Sequence, residues 1–360
     1  MKNIAEQFQL KSEPGTIRPL KIGFINDSFI VESKDPNGEW YFLQRINDNI
    51  FKNVEGLQNN ISLVTDHLRK KMAEAGEKDL NSKVLCLIPT KDNKLFYKDD
   101  AGNYWRVYVN IRNTKSYDII NPEMAYKAGL AFGNFQRMLV DISHDNLIET
   151  IPNFHNMEFR LEEFREAVKN NAAGRLAQTH WMVDEIEKRA DEMCIPERLH
   201  HEGKLPKRIN HCDTKVNNIL FDTNDNPICI VDLDTVMPGF VLSDFGDFMR
   251  TAANTGAEDD EDLSRIGVNI PIFEAYTRGY LKNATFLTPT ELGNLAFGAK
   301  LLSYMQTVRF FTDYLNGDKY YKVQTENHNW QRTMAQFTLL QSQEENYDLM
   351  QRIVFDCAQQ

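Results

Sequence analysis

The middle of the chain carries polar residues whose types and order are those that phosphoryl transfer requires. Residues 211–218 read His-Cys-Asp-Thr-Lys-Val-Asn-Asn, so Asp213 is followed by Asn218, and Asp232 ends the next apolar run. A carboxylate can orient and deprotonate an attacking hydroxyl, while an amide oxygen and a second carboxylate can hold Mg²⁺ on nucleotide phosphates. The pattern therefore predicts Asp213 as the general base, Asn218 and Asp232 as ligands of Mg²⁺, and ATP as the co-substrate.

The elements around these residues are expected to place them on a loop and at the end of a strand. Residues 219–221 are apolar, 222–227 are dense in turn formers, and 228–231 are mostly β-branched. This order predicts a loop, a β-hairpin and then a carboxylate. The alternative is an ordinary hairpin with an Asx-rich turn, which would leave the surrounding polar residues unexplained.

Three further polar residues lie close to this pattern. Lys215 follows the predicted base closely enough to neutralise the transferred phosphate. With the period of a strand, Asp234 should point to the same side as Asp232, where it either reaches a second metal or the substrate, or forms a salt bridge. His211 is expected to brace the loop rather than to exchange protons.

The tripeptide Asp244-Phe245-Gly246 spells a known metal-binding motif of nucleotide-dependent phosphotransferases, but it lies too far from Asp213 for that role. We therefore expect Asp244 and Asp247 to be structural. Both should cap the next helix and accept hydrogen bonds from the backbone of the catalytic loop.

The chain resembles the superfamily of aminoglycoside phosphotransferases and choline kinases, and within it the N-acetylhexosamine 1-kinases. The residues that carry the resemblance are 43–47, 210–218, 231–239, 243–250 and 309–318. The resemblance implies phosphorylation of the anomeric hydroxyl of N-acetylglucosamine or N-acetylgalactosamine by ATP and Mg²⁺. The transfer should be direct and in line, without a covalent enzyme intermediate.

The pattern of elements predicts an α+β, bilobal, protein-kinase-like fold. Residues 1–112 should form a small antiparallel β lobe with one helix, whose apolar face runs from Val54 to Leu68. Residues 113–360 should form a larger, mainly helical lobe that carries the catalytic and sugar-binding residues. The nucleotide is expected in the cleft between the lobes.

The small lobe should bind the nucleotide through a turn and a strand. Gly23, Asn26 and Ser28 lie in a segment that would cover the phosphates, although a single glycine is also compatible with a plain β-turn. In the protein-kinase pattern the next strand carries a lysine that binds the nucleotide phosphates, but the strand at 41–46 has none. Arg45 is the best substitute, since a guanidinium binds phosphate oxygens bidentately; the alternative is a surface arginine on an edge strand.

The sugar is expected to contact the catalytic residue Asp213, together with Asp234, Arg309 and Tyr320. The last two residues are implied by the resemblance. Arg309 and Asp313 lie four residues apart, so a simple ion pair along one helix face is the alternative.

The composition excludes several classes of protein. The 360 residues include 42% hydrophobic residues and have a formal net charge of −11, which disfavours general nucleic-acid binding. The sequence has no apolar run long enough to predict a membrane span, and its first residues lack the apolar core of a signal peptide. The five cysteines are scattered and should be free thiols. These features predict a cytoplasmic monomer or weak homo-oligomer.

Other functions remain open at this point. A kinase of another sugar, of choline or of an aminoglycoside would use the same catalytic residues. A non-catalytic nucleotide or sugar sensor is compatible with the missing strand lysine. A metal hydrolase is disfavoured because histidines are not clustered. The preferred hexosamine and the choice between ATP and GTP are not encoded in any recognisable pattern.

Overall fold

A computed structural model describes residues 1–20 and 25–360 of the chain. Its contacts divide the chain into two units. The first comprises Met1–Ser116, Met138–Pro152 and Asn218–Pro238, and the second comprises Tyr117–Arg137, Asn153–Asn217 and Gly239–Gln360. The sequence-based ranges, 1–112 and 113–360, stay a prediction.

The first unit is built on an antiparallel sheet of six strands. The strands run in the order β1-β2-β3-β6-β4, and β5 pairs with β6. The strands are β1 (Pro14–Leu20), β2 (Asp27–Ser33), β3 (Tyr41–Ile46), β4 (Leu87–Ile88), β5 (Tyr97–Lys98) and β6 (Tyr104–Val109). The helices are α1 (Lys2–Ala5), α2 (Val54–Glu74) and α3 (Leu80–Lys83).

Helix α2 confirms the amphipathic pattern seen in the sequence. Its buried positions include Val54, Leu57, Ile61, Val64 and Leu68, which step by three or four residues. The Asn53 side chain caps the helix by accepting a hydrogen bond from the N–H of Gly56.

Strand β1 was not predicted, and its composition explains why. Two prolines and a glycine among seven residues argue against a strand, because proline has no N–H to donate to a ladder. The sheet order places β1 at an edge, where it pairs with β2 on one side only. Proline is tolerated in edge strands.

The predicted hairpin after the catalytic loop is confirmed. Strand β8 (Ile219–Phe221) pairs antiparallel with β9 (Pro227–Ile230). The Asp222 carboxylate closes the turn by accepting N–H groups of Asn224 and Asn226 at 2.8 and 2.9 Å.

The second unit is mainly helical. It contains α4 (Pro122–Leu139, up to Arg137), α5 (Met157–Asn170), α6 (Leu176–Met193), α7 (Ile195–His201), α8 (Val241–Ala252), α9 (Ile270–Asn283), α10 (Pro289–Gly293), α11 (Leu295–Leu315), α12 (His328–Glu345) and α13 (Tyr347–Ala358). The short strand β7 (Arg208–Asn210) precedes the catalytic loop, and β10 (Met237–Gly239) spans the sequence boundary between the units.

Small residues allow α4 and α9 to approach closely. A Cβ atom on Gly129 would lie 2.3 Å from the carbonyl oxygen of Tyr276, and one on Gly133 would lie 2.5 Å from that of Tyr280. In return, a Cβ on Gly279 would lie 2.0 Å from the carbonyl oxygen of Tyr126. Any larger residue would force these helices apart.

The sequence predicts a capping box at 288–291 that opens one long helix toward Leu315, and a final helix over about 330–355. Each of these two helices is divided in the structure. The capping box is confirmed, with Thr288 and Glu291 bonded reciprocally, but it opens only α10. A break at Asn294 separates α10 from α11, and one at Asn346 separates α12 from α13. Among the described residues, no helix combines the length and apolarity needed to cross a membrane.

A buried carboxyl group of α7, which bonds the first residue of α5, should make stability depend on pH. Glu197 accepts the N–H of Met157 at 2.7 Å, while its second oxygen has no partner among the described residues. Burial raises the pKa of Glu197 to about 7, against an ordinary value of 4.5. The folded protein therefore binds this proton more tightly than the unfolded chain, and stability should fall as the pH rises through that interval.

We expect Glu197→Gln, which keeps the acceptor and removes the charge, to raise the free energy of unfolding by about 1–3 kcal/mol at about pH 8. The gain should be much smaller at about pH 5, because the wild-type group is then largely protonated. Urea unfolding at both pH values measures the difference. The exposed Glu202→Gln is the control, and an equal loss of stability at both pH values would contradict the account.

Candidate active site

The predicted catalytic loop, residues 211–218, is held by two buried carboxylates of α8. Asp244 accepts the N–H groups of His211 and Cys212, both at 2.8 Å. Asp247 accepts the N–H of Thr214 at 2.9 Å, and the Thr214 hydroxyl donates to the carbonyl of Asp244 at 2.6 Å. The predicted bonding to the loop backbone is confirmed.

The expected capping role of these carboxylates is wrong. Helix α8 begins at Val241, and its N-cap residue Phe240 makes no side-chain bond. Asp244 and Asp247 therefore lie inside the helix, where their side chains reach sideways to the loop.

The loop turns sharply between His211 and Asp213. Cys212 has a φ of 61°, a left-handed conformation that is costly for a residue with a Cβ. His211 is buried, and its Nδ1 accepts the N–H of Asp213 at 3.3 Å. Its ring lies edge-on to Phe132 and Phe135 at centroid distances of 5.9 and 6.0 Å. His211 therefore braces the loop, as expected.

The pKa values of the two bracing carboxylates shift in opposite directions. Burial raises the pKa of Asp244 to about 6, although His211 and the accepted N–H groups act in the opposite direction. For Asp247, burial also favours the neutral form, but the guanidinium of Arg250, together with His155 and Lys215, outweighs it, and the pKa is lowered. Arg250 donates to Asp247 at 2.9 Å and also pairs with Glu258 at 2.5 Å.

The two predicted catalytic residues of the loop are brought together. The ammonium group of Lys215 lies 3.1 Å from a carboxylate oxygen of Asp213. Both side chains are partly exposed, so the carboxylate and its cation are accessible to a ligand.

The predicted metal ligands belong to the first unit. Asn218 is buried at the start of the β8–β9 hairpin, and Asp232 is exposed just after it. Asp232 has a φ of 59° and precedes a short 3₁₀ turn, Leu233–Thr235. An amide and a carboxylate oxygen suit Mg²⁺, which commonly takes one or two protein ligands together with phosphates and water. Within residues 1–20 and 25–360, no cluster of three or more acidic, histidine or cysteine side chains offers a complete metal site.

The expectation that Asp234 shares a side with Asp232 is wrong. Strand β9 ends at Ile230, so the alternation of a strand does not continue through these residues. The left-handed turn at Asp232 directs Asp234 into the interior, where it is only 3% exposed. There its carboxylate pairs with Arg106 at 2.5 Å, which is the salt bridge named as the alternative.

Arg106 was missed in the sequence, although a signal was present. It is a lone charge within the otherwise apolar and aromatic strand Tyr-Trp-Arg-Val-Tyr-Val. A charge inside such a strand must be paired if the strand is buried. The identity of its partner, far along the chain, could not be deduced from the sequence.

The predicted nucleotide-binding residues of the first unit have varied surroundings. Gly23 lies outside the described residues. Asn26 donates to Asp234 at 2.6 Å, and the buried Ser28 accepts from Gln44 at 3.0 Å. Arg45 is half-exposed and donates to Asp27 at 2.7 Å, an arrangement that favours the alternative of a surface arginine. Strand β3 is central rather than at an edge.

The alternative of an ion pair between Arg309 and Asp313 is wrong. Asp313 is buried and accepts the N–H groups of Lys319, Tyr320 and Tyr321 at 2.8 to 3.0 Å. It therefore shapes the loop after α11. In the described part of the chain, no carboxylate lies within ion-pair distance of Arg309.

Arg309 instead lies among aromatic rings. Its guanidinium carbon is 4.9 Å from the ring centre of Phe154, 5.7 Å from that of Tyr321 and 5.9 Å from that of Tyr320. Tyr320 is 57% exposed, so this cationic, aromatic cluster reaches the surface. The structure thus brings together the two residues that the resemblance implied for the sugar.

The neighbouring His155 connects this cluster electrostatically with the catalytic loop. Burial lowers the pKa of His155 to about 3, with Asp247 acting against the change and Arg309 reinforcing it. The imidazole is therefore neutral near pH 7.

Residues 16–280 match the sequence profile of the phosphotransferase enzyme family, so the chain belongs to that family. An aminoglycoside phosphotransferase from Alicyclobacillus acidocaldarius is similar with a TM-score of 0.65 and 11% identity, over 99% of this chain and 96% of that one.

Two other solved structures are similar along most of the chain. A choline/ethanolamine kinase family protein from Mesorhizobium loti has a TM-score of 0.56 and 15% identity, over 94% of this chain and 92% of that one. A spectinomycin phosphotransferase bound to ADP and spectinomycin has a TM-score of 0.56 and 13% identity, over 100% and 98%. The predicted α+β, kinase-like fold is confirmed.

The bracing of the loop can be tested at Asp244. In Asp244→Asn, one acceptor oxygen is replaced by a donor, so at least one loop N–H loses its partner. We expect the free energy of unfolding to fall by about 2–4 kcal/mol and turnover to fall with it. Chemical unfolding and steady-state kinetics measure both effects.

The control for this change is Asp222→Asn, which alters a partly exposed turn carboxylate of the β8–β9 hairpin. It should cost far less stability, since water can replace the lost acceptor. Equal effects of the two substitutions would show that Asp244 does not brace the loop.

Proposed function

We propose that the chain transfers the γ-phosphoryl group of ATP to the anomeric hydroxyl of an N-acetylhexosamine, either N-acetylglucosamine or N-acetylgalactosamine. Membership of the phosphotransferase enzyme family supports the reaction class. The observation that carries the proposal is the Asp213–Lys215 pair, 3.1 Å apart on a loop whose backbone is fixed by buried carboxylates.

In the proposed reaction, Asp213 accepts the proton of the C1 hydroxyl as the new oxygen–phosphorus bond forms. The bond between the γ-phosphorus and the bridging oxygen breaks in the same in-line step, and ADP leaves with its electron pair. Lys215 offsets negative charge on the transferred group. Because the carboxylate acts as a base, no covalent enzyme intermediate is needed.

Asn218 and Asp232 are the proposed ligands of Mg²⁺ through their side-chain oxygens. When bound, the ion would neutralise phosphate charge. The exposed carboxylate of Asp232 is suited to meeting a nucleotide. Gly23, Asn26 and Ser28 stay proposed nucleotide contacts, whereas the pairing of Arg45 with Asp27 favours the alternative of a surface arginine.

The surroundings of Arg309 favour a neutral acceptor. The Arg309 guanidinium has no carboxylate at ion-pair distance among the described residues. It would therefore repel the ammonium groups of choline or of an aminoglycoside. It would instead donate hydrogen bonds to hydroxyl or acetamido oxygens, and aromatic rings offer apolar walls to a sugar. Some similar structures are named for aminoglycosides or choline, and a kinase of such acceptors is the alternative.

The direct test is ³¹P and ¹H NMR of the protein with Mg·ATP and a panel of N-acetylhexosamines, other sugars, choline and kanamycin. We expect a new sugar 1-phosphate signal with N-acetylglucosamine or N-acetylgalactosamine. Turnover of another acceptor alone would refute the sugar assignment. Binding of ATP without any transfer would favour a sensor.

The same assay should include Asp213→Asn as a catalytic control. Without a base, turnover should fall by about 100-fold or more, while nucleotide affinity changes little. Wild-type turnover in this variant would remove Asp213 from the mechanism.

A second variant tests the acceptor site. Arg309→Met removes hydrogen-bond donors but keeps much of the side-chain volume. We expect the KM for the hexosamine to rise by about 10-fold or more and the KM for ATP to stay similar. Arg352→Met, on the exposed face of α13, is the matched control. A rise in the KM for ATP alone would show that Arg309 does not bind the hexosamine.

A further inference from the structure

The pairing of three strands in the first unit places Ser28, Gln44 and Arg106 in one row. Ser28 lies opposite Gln44 between β2 and β3, and Gln44 lies opposite Arg106 between β3 and β6. Residues that are directly opposite in antiparallel strands project from the same face of the sheet. The polar row therefore follows from the register.

Arg45 belongs to the opposite face. It is the next residue along β3, and it lies opposite Asp27 and Trp105. Since side chains alternate along a strand, Arg45 cannot join the row of Gln44 without a shift in register. Its cross-strand neighbour Asp27 already accepts its hydrogen bond.

Arg106 is the cation of the polar row, and it is 1% exposed. Its Nε and Nη2 donate to the amide oxygen of Gln44 at 3.0 and 2.7 Å. Its Nη1 pairs with Oδ1 of Asp234 at 2.5 Å. The amide nitrogen of Gln44 donates in turn to Ser28, so the guanidinium is oriented from two sides.

Asp234 extends this network to the segment before β2. Its second oxygen accepts the amide N–H of Asn26 at 2.6 Å, and the Asn26 oxygen accepts the N–H of Asn47 at 2.9 Å. Asp234 is thus fixed on both oxygens. Only Leu233 separates it from Asp232, whose left-handed backbone is maintained by its surroundings.

We propose that Arg106 is a positioning residue for the turn that carries Asp232. This inference rests on the proposed use of Mg·ATP. By holding Asp234 and, through it, Asn26, Arg106 keeps the Asp232 carboxylate directed outward and fixes the approach to β2.

The test compares nucleotide binding by calorimetry, with AMP-PNP in the presence and absence of Mg²⁺. Arg106→Met should weaken AMP-PNP binding in Mg²⁺ by about 10- to 100-fold, with a much smaller change in its absence. Arg106→Lys, which retains the charge but not the fork, should recover part of the loss. Arg18→Met, a surface arginine of β1 paired with Glu32, should bind as the wild type does.

A paired substitution separates positioning from folding. Arg106→Met combined with Asp234→Leu removes both buried charges, so the chain should fold without an unpaired ion. The folded double variant should still bind Mg·AMP-PNP weakly, because nothing fixes the turn. Wild-type affinity in this variant would overturn the proposal, as would a loss of affinity in Arg45→Met but not in the Arg106 variants.

A failure of the proposal about Arg106 can be distinguished from a failure of the proposed function. A wild-type protein that transfers no phosphate to any acceptor would refute the proposed reaction, while the calorimetric comparison of Arg106 variants would still decide whether Arg106 supports Mg·nucleotide binding.

Discussion

The burial of Asp244 and Asp247 inside α8 is the constraint on which the catalytic loop depends. Helix α8 packs against α11 so closely that a Cβ on Gly246 would lie 2.1 Å from the carbonyl oxygen of Gly298. Two carboxylates in such surroundings must be satisfied locally, because water is excluded. The backbone N–H groups of residues 211, 212 and 214 satisfy them. The sharp turn at Cys212 is the backbone conformation that brings these donors to two helix residues one turn apart.

A related arrangement is present in the first unit at Asp232. In each case a left-handed residue is placed at, or next to, a carboxylate with a proposed role, and a buried carboxylate nearby is held by hydrogen bonds or an ion pair. Strained backbone persists only where neighbouring contacts hold it. The two buried carboxylates differ in their partners: neutral N–H groups and an amide for Asp244, and a guanidinium for Asp234. The second arrangement buries a pair of opposite charges, which is stable only while both partners remain.

Local patterns in the sequence predicted what depends on local interactions. The β8–β9 hairpin, the buried face of α2 and the capping box at Thr288 follow from turn residues, periodicity and reciprocal caps. The structure departs from prediction where a distant partner decides. Strand β1 forms despite its prolines because an edge position is available, and Asp313 bonds backbone N–H groups instead of Arg309. The burial of Asp234 depends on Arg106, which lies in a different strand, so no short motif could reveal it.

The absence of a lysine from β3 shows that a lone charge in a buried strand can reveal a functional cation where a sequence motif does not. A phosphotransferase needs positive charge near its anionic substrate and its metal-binding turn, but electrostatics does not specify which strand must carry it. In an antiparallel sheet, a residue directly across the ladder is about 5 Å away and faces the same side. A cation can therefore lie on either of two neighbouring strands and still face the same side of the sheet. What changes is the pairing: a lysine with a flexible stem can reach a ligand, whereas the guanidinium of Arg106 is enclosed by Gln44 and Asp234. In the role proposed for Arg106, the charge acts by fixing the turn, and the residues that the turn presents contact the ligand.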